Sequence, residues 1–254
     1  MNENYLIDFL KRENGIEGEI DLPADKQVRA LMNVTMPYDL PAEFYSAQDE
    51  FLQERLRGIK VTDVNDLTPV CGKLYLYLGD VTALRADAIV NACNEKLLGC
   101  FQPLHGCIDN AIHSFAGLQM RRDLISVMAK QGHDEPNGRA KITKAYNLPS
   151  KYVLHTVGPI VRGAVTPSNE KDLYDCYVSC LKLADEYELE SVAFCSISTG
   201  VYGYPIEKAC KTAITAVCDY FDSVDSCVKK VVFNVFSQRD YDVYLAELKE
   251  RGRV

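Results

Sequence analysis

From residue 73 onward, short apolar runs alternate with longer stretches of helical spacing, and this alternation constrains the fold more than any other feature. KLYLYLG (73–79) alternates Leu74, Leu76 and Leu78 and reads as a strand. ADAIVNA (86–92), YVLHTV (152–157), SVAFCSI (191–197) and VVFNVF (231–236) are runs of the length of buried strands. Between them, 108–128 spaces Ile108, Ile112, Phe115, Leu124 and Val127 as one helix, and 169–187 puts Leu173, Cys176, Cys180, Leu181 and Ala184 on one face. Pro205 opens a helix through about Phe221, and 239–250 reads as a last helix. Strands alternating with helices predict an α/β layered fold with a largely parallel central sheet.

The first 70 residues follow another pattern. Residues 3–12 and 25–35 have helical apolar spacing, GIEGEIDLP between them reads as a loop, and Pro41 can start a helix through about Arg57 with Phe44, Phe51, Leu52 and Leu56 as its stripe. This part holds 7 basic and 14 acidic residues and no cysteine, whereas 71–254 holds 21 basic and 22 acidic residues and all ten cysteines. The two shifts coincide, so we divide the chain into an N-terminal helical extension (1–70) and a main domain (71–254).

Composition narrows the function classes. A net charge of −8 argues against general nucleic-acid binding, which draws on a basic patch, yet leaves room for a nucleotide, because backbone amides hold phosphates without lysine. No window of about 18 apolar residues occurs, so no membrane helix is expected. MNENYLIDFLKRENG lacks the basic-then-apolar order of a signal peptide, and the expectation is a cytoplasmic protein with reduced thiols. Most cysteines, such as Cys176, Cys180, Cys210 and Cys218, sit in apolar runs as small hydrophobes.

Three segments that follow strands carry the chemistry, since ligands of such folds gather at the carboxyl ends of strands. In GDVT (79–82), Asp80 either accepts from the exocyclic amine of a base or closes an Asx turn. STGVYGYP (198–205) leaves a strand and enters a helix. Gly200 and Gly203 admit a ligand close to the backbone, Ser198 and Thr199 add hydroxyls, and the helix start adds partial positive charge. It is a diphosphate cradle or a plain turn. NACNEKLLGCFQPLHGCIDNAIH (91–113) spaces Cys100, His105 and Cys107 as one loop around a zinc ion would, although Cys-His pairs also arise by coincidence. No fourth protein ligand stands beside them, which is the pattern of a catalytic rather than a structural site.

At these residues the sequence resembles the macrodomain family of ADP-ribose-binding modules, and more closely its zinc-dependent branch. The motifs run in order over about residues 72–250: GDVT, DAIVNACN, LLGC, the Cys-His-Cys loop, IDNAIHSFAG, YVLHTVGP and STGVYGYP. The resemblance implies a three-layer α/β/α fold with a mixed central sheet, and matches 1–70 to the helical extension of that branch. It implies that Asp80 recognises adenine, Asn94 contacts the distal ribose, and Ser198, Thr199, Gly200, Val201, Tyr202 and Gly203 hold the diphosphate. Val81 and Ala92 join this ligand-binding set, and Phe236 either stacks on the adenine or packs in the core. Asn94 and Asp109 are the catalytic pair it implies, with Asp109 near the scissile bond, and Cys100, His105 and Cys107 are its zinc ligands. CFQPLHGC replaces the glycine-run loop of the common hydrolytic macrodomains, so their ribose-clamping backbone does not carry over. His155 reads as a core histidine, and His113, one turn beyond Asp109, as pocket lining or packing.

The implied activity is zinc-dependent removal of mono-ADP-ribose from modified proteins. The family pattern also implies a sirtuin-type transferase as its opposite number and a lipoyl-carrier protein as a possible substrate. A non-catalytic ADP-ribose reader and an O-acetyl-ADP-ribose deacetylase are the alternatives.

Overall fold

The computed structural model describes residues 3–252. Three helices come first: α1 (Glu3–Glu13), α2 (Ala24–Val34) and α3 (Ala42–Arg57). Five strands follow: β1 (Thr62–Asp63), β2 (Pro69–Cys71), β3 (Leu74–Leu78), β4 (Leu84–Arg85) and β5 (Ala88–Ala92). Then come α4 (Ile108–Ala116), α5 (Leu118–Gln131), β6 (Ala140–Lys144), β7 (Tyr152–Thr156), α6 (Pro167–Glu186), β8 (Ser191–Phe194), α7 (Ile206–Ser223), β9 (Lys230–Val235) and α8 (Gln238–Arg251).

Seven strands form one mixed sheet in the order β2-β3-β9-β8-β5-β7-β6. The five inner strands are parallel, and the two edge strands are antiparallel. The period of two decides which layer each strand residue meets. Leu74, Leu76, Ala88, Val90, Val192, Phe194, Val231, Phe233 and Val235 face the core built with α6, α7 and α8. The residues between them, Tyr75, Ile89, Val153, Ala193 and Val232, face the core built with α4 and α5. Strands buried on both faces read as continuous apolar runs, which is why the sequence shows them as runs.

The edges differ from expectation. β6 carries Lys141 and Lys144 around Ile142, so it lacks the apolar run of a central strand, as suits a protected edge. β2 and the β1–β4 pair are three and two residues long, below what periodicity detects. The helix expected over 108–128 is two helices. Gly117 breaks it at φ +98°, and the first amide of α5, Leu118 N–H, donates to Gln48 Oε1 of α3 at 2.8 Å. A long-range cap from α3 thus replaces the bonds that helix continuity would have made.

The three N-terminal helices close a third core of Leu6, Leu10, Val28, Leu31, Met32, Phe44 and Leu52, into which α5 inserts Leu118. All ten cysteines are free thiols. No described helix is long and apolar enough to cross a membrane.

Gly117 offers a stability test. A Cβ there would stand 2.6 Å from Gln48 Nε2 and 2.8 Å from Gln119 Oε1, at a backbone angle that L residues rarely adopt. We expect Gly117→Ala to lower the unfolding free energy by about 2–4 kcal/mol. Gly132→Ala, with φ +75° but nothing within 4 Å, should cost only about 1 kcal/mol. Urea titration of both variants distinguishes crowding from backbone strain.

Candidate active site

Four adjacent parallel strands, β3, β9, β8 and β5, end on one side of the sheet, and the loops leaving them enclose a cleft of about 880 Å³. That volume suits a nucleotide-sized ligand. Asp80, Val81, Ala92, Asn94, Cys100, His105, Cys107, Asp109, Ser198, Thr199, Gly200, Val201, Tyr202 and Phe236 all line it. Gly203 lines a smaller neighbouring hollow that shares Thr199.

At one end Asp80 caps the 3-10 turn Val81–Ala83, with Oδ1 accepting from Thr82 N–H at 2.8 Å and Thr82 Oγ1 at 2.7 Å. The Asx turn is therefore real, and it leaves Oδ2 available to a ligand; Oδ2 lies 3.9 Å from Arg55 Nη2. Phe236, at the end of β9, is 84% exposed on the cleft rim, so it is not a core aromatic.

The loop after β8 is held by its own backbone: Tyr204 N–H donates to Ser198 O, Gly203 N–H to Gly200 O, and Val161 N–H to Tyr202 O. Ser198 sits at φ +65°, a strained angle for a non-glycine residue. The amides of Gly200, Val201 and Tyr202 have no partner among the described residues, and α7 begins three residues after Gly203. Unpaired amides beside a helix start form an anion site that needs no lysine.

Opposite lies the Cys-His-Cys loop. The ligand atoms of Cys100, His105 and Cys107 all lie within 4.8 Å of one another, and Cys100 Sγ is 3.5 Å from His105 Nδ1. Tetrahedral zinc with sulfur at about 2.3 Å holds its donors roughly 3.5–4 Å apart, so the set fits zinc in chemistry and in spacing. Cys107 is the N-cap of α4, its Sγ accepting from Asn110 N–H at 3.4 Å. Burial nevertheless pushes its thiol up to about 11, with Cys100 and Asp109 adding to the rise.

Behind the loop is a buried polar network. Asn91 Nδ2 donates to Asp109 Oδ1 at 2.8 Å and lies 3.2 Å from His155 Nδ1, while His155 Nε2 meets Thr143 Oγ1 at 2.8 Å. Burial raises Asp109 to about 6, against the lowering effects of Asn91 and Arg121. Burial lowers His155 to about 3 and holds His113 well below the usual histidine range, so both rings are neutral at pH 7. His113 Nε2, 3.5 Å from Asp109 Oδ1, is thus no ion-pair partner at that pH. His113 also fills the space behind Gly99, where a Cβ would stand 2.8 Å from its Cγ, so LLGC requires its glycine. Asn94 is engaged by its own loop: Nδ2 donates to Gly99 O at 3.1 Å, and Oδ1 accepts from Lys96 N–H at 3.0 Å.

Sequence reasoning missed the cleft residues that come from the N-terminal helices, and Phe115 of α4. Arg29 and Arg55 both line the cleft, and both guanidinium carbons lie over the Phe115 ring, Arg55 at 3.3 Å and Arg29 at 5.0 Å from its centroid. Burial lowers the pKa of each, and Asp80 opposes the shift. Two arginines inside an acidic segment were the available signal, but helical spacing alone does not say what a helix faces.

The Macro domain family model matches residues 90–213. A protein-ADP-ribose hydrolase from Treponema medium is 47% identical over 249 residues, covering 94% of this chain and 95% of its own. One from Staphylococcus aureus is 43% identical over 247 residues, covering 94% and 92%. Among solved structures, a variant of the Oceanobacillus iheyensis macrodomain with ADPR aligns at TM-score 0.64 and 36% identity, covering 71% of this chain and 94% of that one.

The network behind the loop sets an acid limit on stability. Between about pH 6 and 4, unfolding lets two histidines take up protons, while the folded state gains one at Asp109. The unfolded chain binds the larger number, so stability falls as pH falls through this window. We expect His155→Gln to lower stability at pH 7 but to flatten the slope by about 1.4 kcal/mol per pH unit. Urea midpoints measured from pH 7 to 4 check the sign and the size.

Proposed function

The chain belongs to the macrodomain family, and from that premise we propose that it is a hydrolase releasing ADP-ribose from mono-ADP-ribosylated proteins, with zinc held by Cys100, His105 and Cys107. One observation carries the reading: the Cys-His-Cys set lines the same cleft as the unpaired amides of 200–202 and Asp80. The relatives named as protein-ADP-ribose hydrolases and the ADPR-bound macrodomain support the ligand and the reaction class.

In this reading Asp80 Oδ2 accepts from the adenine amine, and Phe236 offers its exposed ring for stacking. The amides of Gly200, Val201 and Tyr202 hold the diphosphate, with Ser198 and Thr199 beside them. Anchoring these two groups fixes the distal ribose near Asn94 and the start of α4, which lowers the entropy cost of attack geometry. Asn94 orients the loop that carries Cys100, since its amide group ties 94–99 into one turn. Asp109 has Oδ1 committed to Asn91, leaving Oδ2 to orient a water or a ribose hydroxyl and to accept its proton. When bound, zinc supplies Lewis-acid polarisation of the oxygen at the ribose–protein link.

The ten free thiols and the thiol ligands suit a reducing compartment, and we place the protein in the cytoplasm. A lipoyl-carrier protein modified by a sirtuin-type transferase is the first substrate to assay.

The test combines metal content with ADP-ribose release from a modified protein. We expect Cys107→Ala to lose the metal and to lose release by on the order of 100-fold or more, while ADP-ribose affinity stays within about threefold. A metal-free wild-type protein with full turnover overturns the zinc role. Tight ADP-ribose binding without release from any linkage makes the chain a reader instead.

A further inference from the structure

The N-terminal helices do more than cover the main domain: α2 also reaches the segment between Cys100 and Cys107. The six residues between Cys100 and Cys107 form no helix or strand. Leu104, immediately before His105, sits at φ +55°, a left-handed angle that non-glycine residues rarely adopt. Its amide donates to Asn33 Oδ1 of α2 at 2.9 Å. Asn33 is itself fixed, because its Nδ2 donates to Ser114 Oγ of α4 at 2.9 Å and the residue is 1% exposed.

A second tie reaches the other end of the loop. Asn110 Nδ2 donates to Gln102 O at 2.9 Å and to Cys100 O at 3.3 Å. The amide of Asn110 is held from behind by Arg29 Nη2 of α2, which donates to Asn110 Oδ1 at 2.9 Å. The carbonyls of residues 100 and 102 and the amide of residue 104 are thus all tied, directly or through one side chain, to α2.

Resting on the zinc reading above, we infer that α2 holds the Cys-His-Cys loop in its ligating conformation, with Asn33 and Arg29 as the positioning residues. Neither residue supplies a donor to the metal. Asn33 stabilises the left-handed turn that aims His105 toward the two thiols, and Arg29 locks the asparagine that spans the loop. Among the described residues, no other side-chain hydrogen bond ties the loop to a residue preceding Cys100, so without them it loses pre-organisation rather than donors.

The experiment uses the full chain and needs no turnover. Zinc affinity is measured by chelator competition, and the cobalt-substituted protein is read by its visible absorption bands. We expect Asn33→Ala and Arg29→Met each to weaken zinc binding by about 10–100-fold and to alter the cobalt spectrum. ADP-ribose affinity of Asn33→Ala should change by less than about threefold, and Asn33→Asp, which keeps the acceptor for Leu104, should recover most of the zinc affinity. If Asn33→Ala does not fold, Arg29→Met, at a half-exposed residue, decides the matter. Variants that are less stable to urea yet bind zinc and cobalt as the wild type does overturn the inference and leave the proposed function standing. A wild-type chain that takes up neither metal overturns both.

Discussion

The structure depends on one buried cation. Arg121 of α5 is 1% exposed, and its guanidinium donates to Leu98 O at 2.8 Å, Met32 O at 2.9 Å and Thr35 O at 2.5 Å. An unpaired buried charge costs several kcal/mol, so these three carbonyls are a condition for the helix to pack where it does. Two of them come from the end of α2, where carbonyls lack helical partners and carry partial negative charge. The third belongs to the LLGC turn ahead of Cys100. The Phe101 ring, 4.7 Å from the guanidinium carbon, covers the remaining side. The end of an N-terminal helix, the main domain's second helix and the entry to the Cys-His-Cys loop thereby share one electrostatic solution.

The cleft follows another economy. The chain is acidic overall, yet its cleft presents unpaired backbone amides and a helix start, plus two arginines supplied by α2 and α3. Amides fixed by loop geometry need no side-chain ordering on binding. The arginines are half-buried and stacked on Phe115, so they too arrive pre-organised. Strain at Ser198 belongs to the same device: a left-handed residue turns the loop so that three successive amides point away from the protein's own acceptors.

What the sequence revealed and what it hid follow from the range of the interactions. Inner strands were legible because burial on both faces leaves apolar runs such as AIVNA and SVAF. Edge strand β6 was not, because an edge is marked by the lysines that also mark a loop. The break at Gly117 was hidden because helical spacing continues across it, and the decisive partner, Gln48, lies about seventy positions away. The cleft residues after β3, β5 and β8 were legible because their glycines, asparagines and aspartates mark turns at the carboxyl ends of parallel strands, where such folds form clefts. Arg29 and Arg55 were not, since an arginine on an amphipathic helix looks the same whether it meets water or a groove. Phe236 was ambiguous for the converse reason: only the structure shows that its ring leaves the core.

The start of α4 brings the electrostatics to a point. Cys107 caps this helix and Asp109 lies in its first turn, where the helix start favours negative charge by roughly 0.3–1 kcal/mol. Burial works against that and prevails at both groups, as the thiol at about 11 and the carboxyl at about 6 show. Two cations lie nearby: Arg121, whose Nε and Nη1 donate to three carbonyls, and Arg29, which donates to Asn110 and Ser114. His113 and His155 are held neutral by the same burial, so neither supplies positive charge. One carboxyl and two thiols therefore converge where the neighbouring cations are already engaged. At pH 7 Cys107 is therefore a neutral thiol, and Asp109 is mostly ionised and carries negative charge there. The Cys-His-Cys loop and the acidic residue of α4 thus form one electrostatic unit, in which Asp109 adds to the rise of the Cys107 thiol.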